Sequence, residues 1–107
     1  MSERVYDLYG SKTLSLNELR DAVEATTGIA FERRNSDYLG GDYFRGGEVG
    51  AEEFVIQGNL DQDGEVIEND FVAFAALLRI DRSPKADELR EVLRGVADLE
   101  FLRRTTL

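Results

Sequence analysis

The chain has 107 residues, of which 42% are hydrophobic and 33% are charged, and its formal net charge is −9. This length and composition predict one folded domain, residues 1–107. Because the chain has no cysteine and no histidine, disulfides, thiol nucleophiles, zinc sites built on these residues and histidine acid–base catalysis are excluded. Carboxylate chemistry, as in glycoside hydrolysis or magnesium-dependent phosphoryl transfer, remains open, but it usually needs a larger cleft than a chain this short can build. We therefore expect a protein that is not an enzyme and that has no catalytic residues and no cofactor.

The distribution of apolar residues bears on location. The first residues are charged and lack the apolar run of a signal peptide. The longest apolar run, residues 71–78, is far shorter than the roughly 20 residues that span a bilayer. A cytoplasmic location is therefore the default expectation.

The first predicted elements are a strand, residues 5–9, and a helix. Ser15 and Glu18 have the spacing of a capping box, in which each side chain accepts a hydrogen bond from the other residue's backbone amide. Gly28 is placed to end the helix, because glycine adopts the left-handed conformation without steric cost. The sequence thus defines both ends of this helix.

A hairpin is predicted next, because glycines at residues 40–41 suit a two-residue turn with positive φ. In that register Tyr38 lies opposite Tyr43, and the pair shares a face with Arg34 and Arg45. Tyrosine and arginine are enriched in protein interfaces, so this face is typical of a partner-binding surface. The alternative is that the two tyrosines only stabilise the hairpin.

An acidic stretch without any lysine or arginine lies between Arg45 and Arg79. Such a concentration of charge repels nucleic acid and anionic membranes, and it attracts either a hard cation or a basic protein. These two partners correspond to two candidate functions. The carboxylates of the stretch are Glu48, Glu52, Glu53, Asp61, Asp63, Glu65, Glu68 and Asp70.

Within this stretch, residues 59–70 resemble an EF-hand calcium loop and are most similar to its dockerin variant. Gly64 falls at the sixth position of the loop, where the backbone turns sharply. Ile67 falls at a ligating position but offers no ligand, and the preceding residues 53–57 predict a strand where an EF-hand has a helix. The alternative is an acidic loop between two strands. The calcium ligands would be Asn59, Asp61, Asp63, Glu65 and Asp70.

The last third of the chain repeats the order of predicted elements in the first third. Residues 87–104 align with residues 17–34 without a gap, which predicts two similar strand–helix–strand units. A strand is expected at residues 75–80, and Ser83 and Pro84 suit the start of the second helix. The predicted fold is α+β, a ferredoxin-like two-layer arrangement of two βαβ-like halves with an enlarged antiparallel sheet. The apolar stripe of the second helix is Ala86, Leu89, Leu93 and Val96.

Several motifs occur in an order that carries a resemblance. They are Tyr-Asp-Leu-Tyr-Gly at 6–10, Ser-x-Tyr-x-Gly-Gly-x-Tyr-x-Arg at 36–45, Ala-Asp-Glu-Leu at 86–89 and Leu-Arg-Arg at 102–104. This order is similar to that of a group of small acidic bacterial proteins. Compact acidic proteins of this size resemble the immunity proteins of polymorphic and contact-dependent toxin systems. The resemblance implies a protein that blocks a toxin.

The predicted function is therefore that of a non-enzymatic binding protein that neutralises a basic protein partner, specifically an immunity protein that blocks a nuclease-type toxin. One alternative is a calcium-binding module built on residues 59–70. A third interpretation is a small-ligand-binding protein that uses the concave face of the sheet. The predicted partner-binding residues are Tyr38, Tyr43, Arg45, Glu48, Asp61, Asp63, Glu65, Glu68 and Asp70.

Overall fold

The computed structural model describes residues 4–36, 41–48 and 51–107. These residues form an α+β fold with one enlarged antiparallel sheet, which confirms the predicted fold class. A short 3₁₀ helix, Asn69–Phe71, lies between the fourth and fifth strands. The strands and α-helices are β1 (Val5–Ser11), α1 (Leu16–Thr27), β2 (Glu32–Ser36), β3 (Gly41–Gly47), β4 (Glu53–Gly58), β5 (Ala76–Asp81), α2 (Ala86–Leu93) and β6 (Glu100–Thr106).

The strand order across the sheet is β2-β3-β4-β5-β1-β6, and every neighbouring pair is antiparallel. Strands β5 and β6 therefore run parallel to each other on either side of β1, and α2 connects them by crossing over β1. The strands β6, β1, β5 and β4 have the order of a ferredoxin-like sheet. The β2–β3 hairpin extends this sheet beyond β4. The connection through α2, from β5 to β6, thus crosses one strand. The connection through α1, from β1 to β2, crosses three strands.

Helix α1 has the ends that the sequence predicts. The Ser15 hydroxyl accepts from the Glu18 amide at 3.1 Å, and the Glu18 carboxylate accepts from the Ser15 amide at 2.9 Å. Gly28 ends the helix at φ 77°. The capping box and the glycine stop are therefore confirmed.

Helix α2 begins later than predicted. It starts at Ala86, after Lys85, and no side chain caps it. The Ser83 hydroxyl instead donates to the Glu52 carboxylate and accepts from the Lys85 amide at 3.2 Å. The prediction of Ser83 as the N-cap was wrong, because a carboxylate distant in sequence engages its hydroxyl. The predicted apolar stripe of this helix is buried as expected.

Both helices pack on one face of the sheet. Leu19 and Val23 of α1 and Leu89 and Leu93 of α2 share one core cluster with the sheet. Alternation along each strand places every second side chain in this core. The strand residues of the cluster are Tyr9, Phe44, Phe54, Ile56, Ala76, Leu78 and Ile80.

The opposite face is covered only in part, by the segment between β4 and β5. Phe74 of this segment packs with Leu8 and Leu77 in a second, smaller cluster. Gly10 makes this close approach possible, since a Cβ atom there would lie 2.9 Å from the Phe74 ring and 2.8 Å from Leu102. The rest of this face remains open.

The β2–β3 hairpin has a different register from the predicted one. Tyr43 lies opposite Arg34, and Gly41 already pairs with Ser36. Tyr38 and the predicted turn glycine Gly40 lie outside the described residues. The shift is an even number of residues, so Tyr43 and Arg45 keep the face that the sequence assigns to them.

Candidate functional site

The candidate site is the sheet surface opposite the helices, which we call the open face. Its side chains alternate along the strands with those of the helix-side core. Most of them are half-buried and several are charged. The residues of the open face are Tyr6, Leu8, Arg34, Tyr43, Arg45, Glu53, Val55, Arg79, Asp81, Arg103 and Thr105.

Three arginines line the middle of the open face. Cross-strand pairing places Arg45 beside Val55, Val55 beside Arg79, and Leu8 between Arg79 and Arg103. Two strand spacings separate successive arginines, which corresponds to roughly 10 Å. An apolar side chain thus lies between each arginine and the next.

Each of these arginines has a carboxylate partner. The shortest nitrogen–oxygen distances are 3.0 Å from Arg45 to Glu53, 4.0 Å from Arg79 to Asp81 and 2.8 Å from Arg103 to Glu68. The cationic groups are therefore balanced within the face itself. Nucleic-acid phosphates bind where positive charge is in excess, whereas here the arginines are paired.

Among the carboxylates of the open face, Asp81 has an environment that disfavours its ionised form. It lies directly across the strands from Glu53. Burial, with a further contribution from Glu53, raises the pKa of Asp81, while Arg79 and Arg82 oppose the rise. The open face thus retains a carboxyl group that ionises less readily than a free one.

A shallow groove of about 120 Å³ lies at the β5–β1–β6 side of the open face. The Tyr6 hydroxyl at its edge accepts from Arg82 at 3.4 Å. Most of its lining side chains are polar or charged, with Leu8 as the apolar one. The lining residues are Tyr6, Asp7, Leu8, Glu68, Arg79, Asp81, Arg103 and Thr105.

The structure divides the acidic stretch into two groups. Glu48 and Glu52 precede β4, whereas residues 61–70 follow it. A strand of six residues spans roughly 20 Å, so the two groups lie at opposite ends of β4. Glu48 is exposed, and its amide donates to the Glu52 carbonyl at 2.8 Å. The predicted single patch is thus two acidic ends with the open face between them.

Asn59, the first proposed calcium ligand, is turned into the protein and is only 4% exposed. Its amide nitrogen donates to the carbonyls of Phe71 at 3.0 Å and Phe74 at 2.9 Å, and its oxygen accepts from the Glu68 amide at 2.8 Å. These bonds engage both N–H donors and the carbonyl oxygen of the side chain. Asn59 therefore anchors the segment that covers part of the sheet.

The remaining residues of this loop form a small hairpin. One carboxylate oxygen of Asp61 accepts from the amides of Asp63 at 2.9 Å and Glu65 at 3.0 Å. Asp63, Glu65 and Asp70 are exposed. Within residues 4–36, 41–48 and 51–107, no group of three or more potential ligands converges on a metal position. The calcium site is thus a prediction without geometric support in this part of the chain.

The sequence analysis found part of this site. It identified Tyr43 and Arg45, which lie on the open face, and Glu68, which pairs with Arg103. It missed Tyr6 and Arg79, because only strand pairing brings distant segments together. A polar residue at every second position of a strand is the signal that could have found them.

Comparison with known proteins found no family model that matches the chain and no curated protein that matches it. In the part of the chain that the structure describes, none of the helices has the length and apolar character needed to cross a membrane.

Proposed function

We propose that the protein is a non-enzymatic binding protein that neutralises a basic protein partner through its open face. One observation carries this proposal: a sheet face that is only partly covered presents half-buried Tyr6, Tyr43 and Val55 among ion-paired arginines. Tyrosine and arginine supply large contact areas and hydrogen bonds, and they dominate the energetics of many interfaces. Their side chains are already held by neighbours, so less conformational entropy is lost on binding.

The two acidic ends would draw a cationic partner onto the open face. Glu48 at one end and Asp63, Glu65 and Asp70 at the other are exposed to solvent. Exposed carboxylates of this kind act mainly on the rate of encounter, because their field extends over about one Debye length. The open face would then make the close contacts that slow dissociation.

The dimensions of the sheet support the participation of both ends. Six strands about 4.8 Å apart and roughly 20 Å long give a face of about 500 Å². A stable interface buries about 800 Å² on each partner. The segment between β4 and β5 covers part of this face, so contact with the acidic ends would enlarge the interface.

The resemblance to immunity proteins supports a more specific proposal. A nuclease-type toxin domain has a cationic groove for nucleic acid, and an acidic protein seated in that groove would exclude the substrate sterically and electrostatically. A bacterial, cytoplasmic protein that protects its own cell belongs to the same proposal. The partner would be encoded beside this chain, since genes of immunity proteins normally adjoin those of their toxins.

The test is association kinetics with the purified product of the adjacent reading frame, followed in a stopped-flow instrument. Reversing Asp61, Asp63 and Glu65 together to lysine should slow association at least about threefold at low salt, because fewer carboxylates attract the partner. Tyr43→Ala should leave association unchanged and accelerate dissociation about tenfold or more, as expected for an interface anchor.

A matched control variant separates the effect of where the carboxylates lie from the effect of net charge. Asp21, Glu88 and Glu91 are exposed on the helices, opposite the open face, and their reversal to lysine changes the net charge equally. We expect this control to slow association far less than the loop variant. Equal effects of the two triple variants, or no binding of the adjacent product, would contradict the proposal.

A further inference from the structure

The segment that joins β4 to β5 is fastened to the sheet at its base. The Asn59 amide donates to the Ala75 carbonyl at 3.1 Å, and the Ala75 amide donates to the Ser11 carbonyl at 3.0 Å. Both bonds continue the pairing of β5 with its two neighbouring strands. We call the residues between these two anchors, residues 60–74, the flap. Because its two ends lie side by side, the flap can move without disturbing the strands that it joins.

Most of the flap is in contact with solvent. Leu60 is 53% exposed and Val72 is 66% exposed, although both side chains are apolar. Phe74 is the one buried residue among residues 60–74. The helical structure of the flap is limited to the 3₁₀ turn Asn69–Phe71. A segment with so little buried surface and regular structure has a low local stability.

The contacts of the flap with the sheet are concentrated at Phe74 and Glu68. The Phe74 ring packs with Leu8 and Leu77 in the second, smaller cluster. The Glu68 carboxylate accepts from the Arg103 guanidinium at 2.8 Å, and this ion pair is partly exposed. Partly exposed ion pairs contribute little to stability. The Phe74 ring is therefore the main contact that opening would have to break.

A buried amide side chain lies beside Leu77 on the covered part of this face. Gln57 pairs with Leu77 across β4 and β5, so the two side chains share one face of the sheet. Gln57 is 0% exposed, and neither polar atom of its side chain has a hydrogen-bond partner within residues 4–36, 41–48 and 51–107. Burying an amide group without a partner is unfavourable. Closure of the flap therefore carries a cost that hydration of Gln57 would remove.

We propose that the flap opens as a unit while the rest of the fold stays intact. The anchors at Asn59 and Ala75 act as the hinge. Opening lets water reach Gln57 and adds the apolar surfaces of Leu8 and Leu77 to the open face. The flap thus controls how much of the open face is accessible. Opening occurs in the free protein, so it is independent of the partner proposed above.

The test uses thiol labelling, because the chain has no cysteine of its own. Leu77 and Leu78 are neighbours in β5 and both are 0% exposed, but Leu77 lies under the flap and Leu78 in the helix-side core. Each labelling rate is divided by the rate in the unfolded chain. Leu77→Cys should then react at least about 100-fold faster than Leu78→Cys. Low urea concentrations should accelerate only Leu78→Cys, since local opening exposes little surface.

Second substitutions separate local opening from global unfolding. Val23→Ala weakens the helix-side core, so it should accelerate the labelling of Leu78→Cys about tenfold and leave that of Leu77→Cys unchanged. Gln57→Met removes the unsatisfied amide at a similar volume and should slow the labelling of Leu77→Cys about tenfold, because closure no longer buries an amide without a partner.

Amide hydrogen exchange of the unmodified protein provides a measurement that needs no substitution. The Ile67 amide donates to the Asn59 carbonyl at 3.0 Å, and the Glu68 amide donates to the Asn59 side chain at 2.8 Å. Opening of the flap breaks both bonds. Relative to the rates of an unstructured chain, both amides should exchange at least about 100-fold faster than the paired amides of β5.

Three results would overturn the proposal. One is an equal corrected labelling rate for Leu77→Cys and Leu78→Cys with the same urea dependence, which would show that the flap opens only when the whole domain unfolds. Another is labelling of Leu77→Cys as fast as in the unfolded chain, which would show that the flap covers nothing. The third is protection of the Ile67 and Glu68 amides equal to that of the β5 amides.

Discussion

The two faces of the sheet share one backbone but differ in burial and in charge. On the helix side, fully buried residues such as Ile56 and Leu78 exclude water, and the cluster they belong to is entirely hydrophobic. On the open face, the neighbouring positions Val55 and Arg79 remain partly accessible, and charges are balanced by ion pairs. The comparison teaches that one face determines the fold while the other is free to carry binding groups.

The largest expected difference compares two neighbours in β4. Ile56→Ala should lower the free energy of unfolding by about 3–4 kcal/mol, because a cavity opens in the fully buried helix-side core. Val55→Ala, one residue away on the open face, should cost less than about 1 kcal/mol. Equilibrium urea unfolding measures both. Similar costs at the two positions would break the distinction between the faces.

The segment that covers part of the open face depends on Asn59. Asn59→Ala should cost about 2–3 kcal/mol in urea unfolding, since two carbonyls and one amide lose their partner. Asn69→Ala, an exposed position in the same segment, should change stability by less than about 0.5 kcal/mol. Equal and small effects would show that the cover is held by apolar contacts alone.

Tyr9 is the exception within the helix-side core, and its removal should have the opposite sign. Tyr9→Phe should raise the free energy of unfolding by about 1 kcal/mol, because the unsatisfied hydroxyl is lost. Tyr43→Phe on the open face serves as the control, with an expected change near zero. Thermal and urea unfolding would measure both, and a loss of stability in Tyr9→Phe would reveal an unseen partner.

On the open face, charge repulsion should give a smaller, pH-dependent effect. The folded-state pKa of Asp81 is raised, so its ionisation lowers stability as the pH rises above the unfolded value of about 4. Asp81→Asn should therefore stabilise the protein by about 0.5 kcal/mol at pH 7 and by less below pH 4. A gain that stays constant between these pH values would exclude titration as its cause.

The smallest expected effect is that of calcium. Asn59 is engaged with backbone groups, so millimolar calcium should leave the melting temperature unchanged in differential scanning fluorimetry. Magnesium at the same concentration is the control for ionic strength. A rise specific to calcium and lost in Asp63→Ala would instead promote the cation-binding function above the protein-binding one.

Local signals predicted what local interactions determine. The capping box at Ser15 and Glu18 and the stop at Gly28 depend on residues within a few positions, and they are present as predicted. The start of α2 was misplaced because the Ser83 hydroxyl bonds with Glu52, which is distant in sequence. Such a partner leaves no trace in the residues around Ser83.

The faces of the hairpin were predicted correctly although its register was not. Side chains alternate with period two, so an even shift preserves which residues share a face. The position of Tyr43 and Arg34 on one face therefore followed from the sequence, whereas their direct pairing across the strands did not. The unsatisfied hydroxyl of Tyr9 could not be predicted, because strand β1 and helix α2 meet only through the tertiary fold.

The place of β1 has a consequence for the order in which the protein can fold. This strand pairs with β5 on one side and β6 on the other, and backbone bonds of 3.0 and 2.8 Å join Arg4 to Leu107. Neither ladder can form on the ribosome until the last third of the chain has been synthesised. Contacts so distant in sequence slow folding and favour a single cooperative step. The β2–β3–β4 meander is synthesised before these strands, and the edge of β4 therefore stays exposed until the sheet has formed around β1.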